Sequence, residues 1–293
     1  MSLQMPQSAF DGLYAMETNG RSFGTFMRVS RILFDERSKY QRITVYDTPD
    51  MGRVLMLDNV FNVSDVMEAF YHEPMAHIPL AMVEGRLEVL IIGGGDFGVA
   101  MHVLKHKEVG RVVMCELDEM VVDVARRFFP EWAKVEEDPR FELVIGDGSR
   151  YLEGVEQGSF DVIIVDSTDP YMFAPMLVSR EFYAKVAKAL KKEGVLMQIV
   201  ADAFFYKEAW APVIRNVKAH LSNITPIFLP VPFYATGNWG LMLARNGSQP
   251  FDPSRVSSEY LGKIKDVQTL TPQLVQGWFS RPGYIERLFE GLL

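Results

Sequence analysis

Val89-Leu90-Ile91-Ile92-Gly93-Gly94-Gly95-Asp96-Phe97-Gly98 decides the fold. An apolar run too short for a buried helix stops at a glycine loop, and apolar residues at helical spacing resume behind it. That order reads as strand, tight turn, helix. A second run, Phe160-Asp161-Val162-Ile163-Ile164-Val165-Asp166-Ser167-Thr168-Asp169-Pro170, also ends abruptly, this time in carboxylates. In an open parallel sheet such loops lie at the carboxyl ends of the strands, where ligands bind.

Outward from these two runs, strands and helices alternate. Strands are expected at 88–92, 111–116, 141–145, 160–166, 194–200, 225–230 and 239–244. Helices are expected at 98–107, 119–129, 179–191 and 207–221. The repeated order implies an α/β fold: a doubly wound, mostly parallel, seven-stranded Rossmann-like sheet of the methyltransferase type. The short linker before Trp239–Ala244 allows that strand to run antiparallel. A last amphipathic helix is expected near Pro282 to Leu292. Upstream, Gln41–Tyr46, Arg53–Leu57 and Val60–Val63 read as strands of a small antiparallel sheet, with turns at Pro49–Gly52 and Asp58–Asn59. Val66 to Met82 has helical spacing interrupted by Pro74 and Pro79. Residues 1 to about 25 have weak periodicity and are expected to form a loose arm. Two domains follow: 1–65, the arm and antiparallel sheet, and 66–293, the Rossmann-like unit.

The 293 residues carry a formal charge of −8, which argues against non-specific nucleic-acid binding. The one cysteine, Cys115, sits in an apolar run and reads as a small buried hydrophobe. No apolar run approaches the ~20 residues of a membrane helix. No secretory signal is apparent, so a cytoplasmic protein is expected. The histidines show no paired metal spacing, and no metal is expected.

Gly93, Gly95 and Gly98 fit G-x-G-x-x-G, the spacing of a nucleotide-like site, although glycines also serve plain strand–helix packing. Asp96 narrows the ligand. A carboxylate about 4 Å from a phosphate is repelled by about 4 kcal/mol at an effective dielectric of 20. A cationic ligand is attracted instead. Glu116 follows Gly95 by 21 residues, the offset of a carboxylate that binds both ribose hydroxyls. Asp118 reads as a helix cap. Asp147, before Gly148, is a candidate acceptor for an adenine amino group or an N-cap. The three strand ends describe an adenosine site without phosphates. Asp166 and Asp169 are placed to converge on one ligand. Gln41, Tyr71-His72-Glu73 and Tyr234 are weaker candidates, since such residues alone are more often structural.

From about 25 to 285 the chain resembles a polyamine aminopropyltransferase of the spermidine synthase family. The matching text is Tyr40-Gln41, Gly52–Asp58, Tyr71-His72-Glu73, Gly93-Gly94-Gly95-Asp96, Glu116-Leu117-Asp118, Gly146-Asp147-Gly148, Asp166–Pro170 and Pro232–Gly240. The resemblance implies decarboxylated S-adenosylmethionine as co-substrate and a diamine, putrescine, as acceptor, with no other cofactor. It implies donor contacts at Gln41, His72, Gly93, Gly95, Asp96, Glu116, Asp147 and Gly148. It implies acceptor contacts at Tyr71, Asp169 and Tyr234, Asp166 as the catalytic base, and a homodimer or homotetramer. Departures cluster on the acceptor side: Phe97 for a glycine, Met67-Glu68 for an acidic pair, and Tyr171-Met172-Phe173 where the family has small residues or proline. The added bulk of Phe97 and Tyr171-Met172-Phe173 implies altered acceptor choice or slower turnover with putrescine. A methyltransferase using the same sheet has no need of carboxylates at both Asp96 and Asp166. Asp96 disfavours a nicotinamide oxidoreductase. A non-catalytic amine-binding homologue is the remaining alternative.

Overall fold

The computed structural model describes residues 12–19, 23–167, 174–234 and 236–293. Seven strands form the main sheet: β7 (Leu87–Gly93), β8 (Val109–Glu116), β9 (Phe141–Ile145), β10 (Phe160–Asp166), β11 (Leu190–Ile199), β12 (Ser222–Pro230) and β13 (Asn238–Arg245). Their order is β12-β13-β11-β10-β7-β8-β9. The pairs from β11 through β9 are parallel, while β13 runs antiparallel to both β11 and β12. Chain order reverses direction between β7 and β10. Ligands of such sheets bind in the crevice at that switch point.

Alternation along the central strands explains why helices cover both faces. Val89, Ile91, Val112, Met114, Val162 and Ile164 pack into one apolar core, and Leu90, Ile92, Val113, Cys115, Ile163 and Val165 into another. Cys115 is a packing residue as expected, and burial pushes its thiol up to about 11. The covering helices are α1 (Ala69–Ala81), α2 (Gly98–Leu104), α3 (Glu119–Phe128), α4 (Pro130–Ala133), α5 (Gly148–Glu153), α6 (Arg180–Ala189), α7 (Trp210–Lys218), α8 (Ser258–Leu261), α9 (Pro272–Phe279) and α10 (Gly283–Phe289). Among the described residues no helix is long and apolar enough to cross a membrane.

Before this sheet lie β1 (Leu13–Asn19) and β2 (Phe23–Val29), an antiparallel pair. An antiparallel sheet follows: β3 (Arg31–Arg37), β4 (Arg42–Thr48), β5 (Gly52–Leu57) and β6 (Val60–Ser64). The expected loose arm therefore needs correction over 13–19, which are a paired strand. Ala15 and Glu17 on one face are buried while Met16 on the other is exposed, so a charged residue is inside and a large apolar one outside. The expectation for 1–11 lies outside the described residues. Helix α9 was also not anticipated, although Thr271 caps it and Pro272 opens it.

In α1 every residue but Phe70 is buried, which lets a helix with two prolines persist by packing. Glu73 is its anchor to the C-terminal segment. Its carboxylate accepts from the amides of Gln268 at 2.6 Å and Thr269 at 2.8 Å, and from the Thr269 hydroxyl at 2.6 Å. Glu73→Ala strands three donors. It is expected to lower the free energy of unfolding by about 2–4 kcal/mol. Urea denaturation checks this, and a loss below about 1 kcal/mol would mean that water replaces the carboxylate.

Candidate active site

A cavity of about 490 Å³ opens at the carboxyl ends of β7, β8 and β10 and is closed from the other side by β1, β5, β6 and the loop at Tyr40 and Gln41. The glycine loop sets its floor. Gly93 and Gly94 have φ of +84° and +72°, a region glycine enters without steric cost. Gly93 lies opposite Asp166 in the β7–β10 register, and the Gly94 amide donates to the Asp166 carbonyl at 2.8 Å. A Cβ on Gly93 would fall 2.1 Å from that carbonyl oxygen.

Phe97 corrects one expectation. Its φ is +70°, the left-handed conformation that glycine enters without steric cost. The ring is fully buried, packs edge-on to Phe141 at 6.1 Å, and does not line the cavity. Its bulk fills the core rather than the acceptor site. Asp169, Tyr171, Met172 and Phe173 lie outside the described residues.

Gln41, Gly95, Glu116, Asp147 and Gly148 all line one part of the cavity. Glu116 is oriented by two amides, Gly95 at 3.2 Å and Asp118 at 2.8 Å. Loss of water pushes its carboxyl up to about 7, with Asp118 adding repulsion and the amides opposing. Gly95 has to be small because a Cβ would meet the Glu116 side chain at 2.9 Å. Asp118 caps Met120 and accepts from Ser38 and from the Gln41 amide, so it fixes Gln41 in place. Asp147 caps α5 through the Ser149 and Arg150 amides while facing the cavity. Its two readings, cap and ligand contact, are compatible.

At the switch point the Tyr71 hydroxyl donates to Asp166 Oδ1 at 2.6 Å. Loss of water and then the charge of Asp96 push the Asp166 carboxyl up to about 6, against the pull of His72 and Tyr71. Burial and the charge of Asp166 hold both Tyr71 and Tyr234 well above the ordinary phenol range, so they are protonated donors. Tyr234 stands 5.8 Å from Tyr71 and 5.1 Å from Trp239, ring to ring, which makes an aromatic wall. Asp96 faces the cavity, with Oδ1 taking the Gly98 amide at 2.7 Å. His72 does not line the cavity; it stands behind Asp96, with Nε2 3.6 Å from Asp96 Oδ2.

Sequence reasoning missed Glu17. It lines the cavity from β1 and accepts the Phe61 amide at 2.8 Å. Nothing in its local sequence marks it, since only the fold of the hairpin turns it inward. Trp239 was read inside a motif without a role, and it also lines the cavity. Taken together, Glu17, Asp58, Asp96, Glu116, Asp118, Asp147 and Asp166 line the cavity, and no Lys, Arg or His does among the described residues. Such a cavity selects cations and rejects phosphates.

The family described as "Spermine/spermidine synthase domain" matches residues 68–252, and "Spermidine synthase tetramerisation domain" matches 14–65. The chain is 37% identical over 271 residues to a spermidine synthase of Coffea arabica, covering 90% of this chain and 86% of that protein. It is 35% identical over 283 residues to a polyamine aminopropyltransferase of Moorella thermoacetica, covering 95% and 97%. The crystal structure of a spermidine synthase in complex with the transition-state analogue AdoDATO is similar with a TM-score of 0.89 at 31% identity, covering 100% of this chain and 98% of that one.

Proposed function

The chain belongs to the spermine/spermidine synthase family and is an aminopropyltransferase; we propose that it moves the aminopropyl group of decarboxylated S-adenosylmethionine to putrescine. The observation that carries this reading is the cavity lined by seven carboxylates and, among the described residues, no basic side chain. The sulfonium donor and the diammonium acceptor are both cations. A nucleotide would meet repulsion there from every wall.

Glu116 takes the ribose hydroxyls, Asp147 the adenine amino group, and Gln41 with the Gly93, Gly95 and Gly148 backbone frames the nucleoside. Asp96 takes the donor's ammonium, with His72 supporting it from behind. The acceptor lies along Tyr71, Tyr234 and Trp239, its far ammonium toward Glu17 and its near one toward Asp166. Asp166 removes one proton from the near ammonium, and the freed nitrogen pair attacks the methylene beside sulfur. The C–S bond breaks, and its electrons neutralise the sulfonium. Spermidine, methylthioadenosine and one proton result. Tyr71 occupies Asp166 Oδ1, which leaves Oδ2 for the amine. Positioning of two bound reactants supplies much of the rate. The exposed apolar side chains of β1 and β2, Met16, Phe23 and Phe26, suit contact with further copies of the chain in a homodimer or homotetramer.

Turnover with putrescine, longer diamines, spermidine and monoamines tests the reading. Turnover fastest with putrescine is expected. Preference for another amine would reassign the acceptor, and no turnover with any amine would overturn the reaction.

Asp96 has a further expected effect. S-adenosylmethionine differs from the donor by a carboxylate, which Asp96 repels. Because His72 stands 3.6 Å from Asp96, the repulsion falls short of the about 4 kcal/mol of an isolated pair. Asp96→Asn is expected to narrow the preference for the decarboxylated donor by roughly 10- to 100-fold. Calorimetry with both ligands on both proteins reads the ratio, and an unchanged ratio would assign the discrimination to shape.

A further inference from the structure

Four of the five histidines of the chain lie in one buried row. His72 Nδ1 is 2.8 Å from Glu68 Oε2, and His102 Nε2 is 3.0 Å from the same oxygen. His102 Nδ1 is 3.3 Å from His77 Nε2, and His77 Nδ1 is 2.8 Å from His106 Nε2. The row joins α1 to α2 and begins at Asp96, behind the cavity wall. Gly98 admits it, because a Cβ there would fall 2.1 Å from His72 Cε1.

Elementary hydrogen-bond accounting fixes the protons. A carboxylate has none to give, so His102 Nε2 carries a proton and donates to Glu68. A neutral imidazole has one N–H, so His102 Nδ1 accepts, and His77 Nε2 is its donor. His77 Nδ1 then accepts from His106 Nε2. All three rings point their N–H toward Glu68 and stabilise its charge. His72 Nδ1 donates to Glu68 at 2.8 Å, and its Nε2 stands 3.6 Å from Asp96 Oδ2, so a second proton there would be held between two carboxylates. A proton could leave outward along this row only if every ring reversed, which marks the row as a fixed support rather than an exit.

We propose that Glu68, His102, His77 and His106 are positioning residues for aminopropyl transfer: they hold His72 as an imidazolium behind Asp96, and that charge keeps Asp166 ionised and available as the base. The proposal rests on the assignment of Asp166 as that base. The surroundings agree with it. Burial opposes a charge on His72, but Asp96 and Glu68 outweigh it and hold the imidazole at about 10. Burial likewise opposes the Glu68 charge, and His102 and His72 overcome it, holding the carboxyl well below its usual range. Burial, with Lys105 nearby, keeps His77 and His102 low and His106 at about 4, though Glu68 favours charge on the first two and Glu108 on the last. The Tyr71 and Trp132 rings flank His72, and the Tyr260 ring flanks His106. At Asp166 the Asp96 charge raises the carboxyl and His72 lowers it.

Two measurements test this. Long-range ¹H–¹⁵N spectra of ligand-free protein labelled at histidine, taken near neutral pH, should show His72 as an imidazolium and the other three rings as neutral Nε2–H tautomers. A neutral His72, or an Nδ1–H proton on any of the three, overturns the proposal. This readout needs no substrate, so it stands whatever the enzyme proves to transfer. In the second, His102→Leu removes the donor to Glu68, whereas His102→Gln retains an N–H at its tip. The acid limb of kcat/KM should move up by about 0.5 to 1 unit in the leucine variant, a loss of roughly threefold to tenfold below the limb. The limb should return toward its place in the glutamine variant. Equal losses in both with an unmoved limb would show a merely structural role and overturn the proposal. Should the leucine variant fail to fold, the spectra of the unaltered protein decide. A wild-type profile without an acid limb would remove Asp166 as base and overturn the proposal with it, and the spectra would then report only whether His72 is charged.

Discussion

Asp166→Asn lowers kcat by roughly two to four orders of magnitude, the usual reach of a general base. The change keeps shape and can still accept from Tyr71, whose hydroxyl is 2.6 Å from Asp166 Oδ1. It cannot take a proton from an ammonium. Donor affinity is expected to hold, because Glu116 and Asp147 stand on other strand ends. The pH profile gives an independent sign. The proposed base acts as the carboxylate, and the Asp166 carboxyl is pushed up to about 6, so wild-type activity is expected to fall as pH drops through that value. In the asparagine variant that limb disappears. Steady-state turnover across pH, with calorimetry for the donor, reads both. Turnover that survives with its acid limb in place would make Asp166 structural and hand the proton to another group.

Gly93→Ala is the second large effect, and it is mechanical. The new methyl would sit 2.1 Å from the Asp166 carbonyl oxygen, and no side chain can swing away to relieve it. The residue must also keep φ at +84°. A left-handed L-residue costs about 1–2 kcal/mol and overpacking about 1–3 kcal/mol. A loss of about 2–5 kcal/mol of stability is expected, together with loss of activity as β10 is pushed off register. Gly146→Ala serves as a control, since nothing lies within 4 Å of its added Cβ. It should change stability by no more than about 0.5 kcal/mol. Equal unfolding curves for the two variants would mean that β7 and β10 separate without cost.

What the sequence made legible and what it hid divide along physical lines. Both quoted runs are strands, and Asp166 stands beside Gly93 because local apolar runs and the rule for strand ends suffice to place them. Asp118 reads as a cap from its immediate neighbours and Asp147 as either a cap or an adenine contact, and both cap their helices. Phe97 misled because a backbone torsion, invisible in the letters, sends the ring inward. Glu17 was hidden because its strand buries a charge and exposes Met16. The placement of His72 behind Asp96 depends on how α1 packs on α2, a long-range contact that periodicity cannot report.

Tyr71, His72 and Glu73 are consecutive on α1, and about 100° of helix separates each from the next. One meets Asp166, one the histidine row, and one the loop at Gln268 and Thr269. A helix cannot turn one of these without turning all three. If Asp166 is the base, the C-terminal segment is expected to act as a clamp on catalysis although it lies outside the cavity. On warming, release of that clamp would stop turnover while the central sheet was still folded, so inactivation would precede melting. Trimming or fusing at the C-terminus would be felt first as lost heat tolerance of the activity.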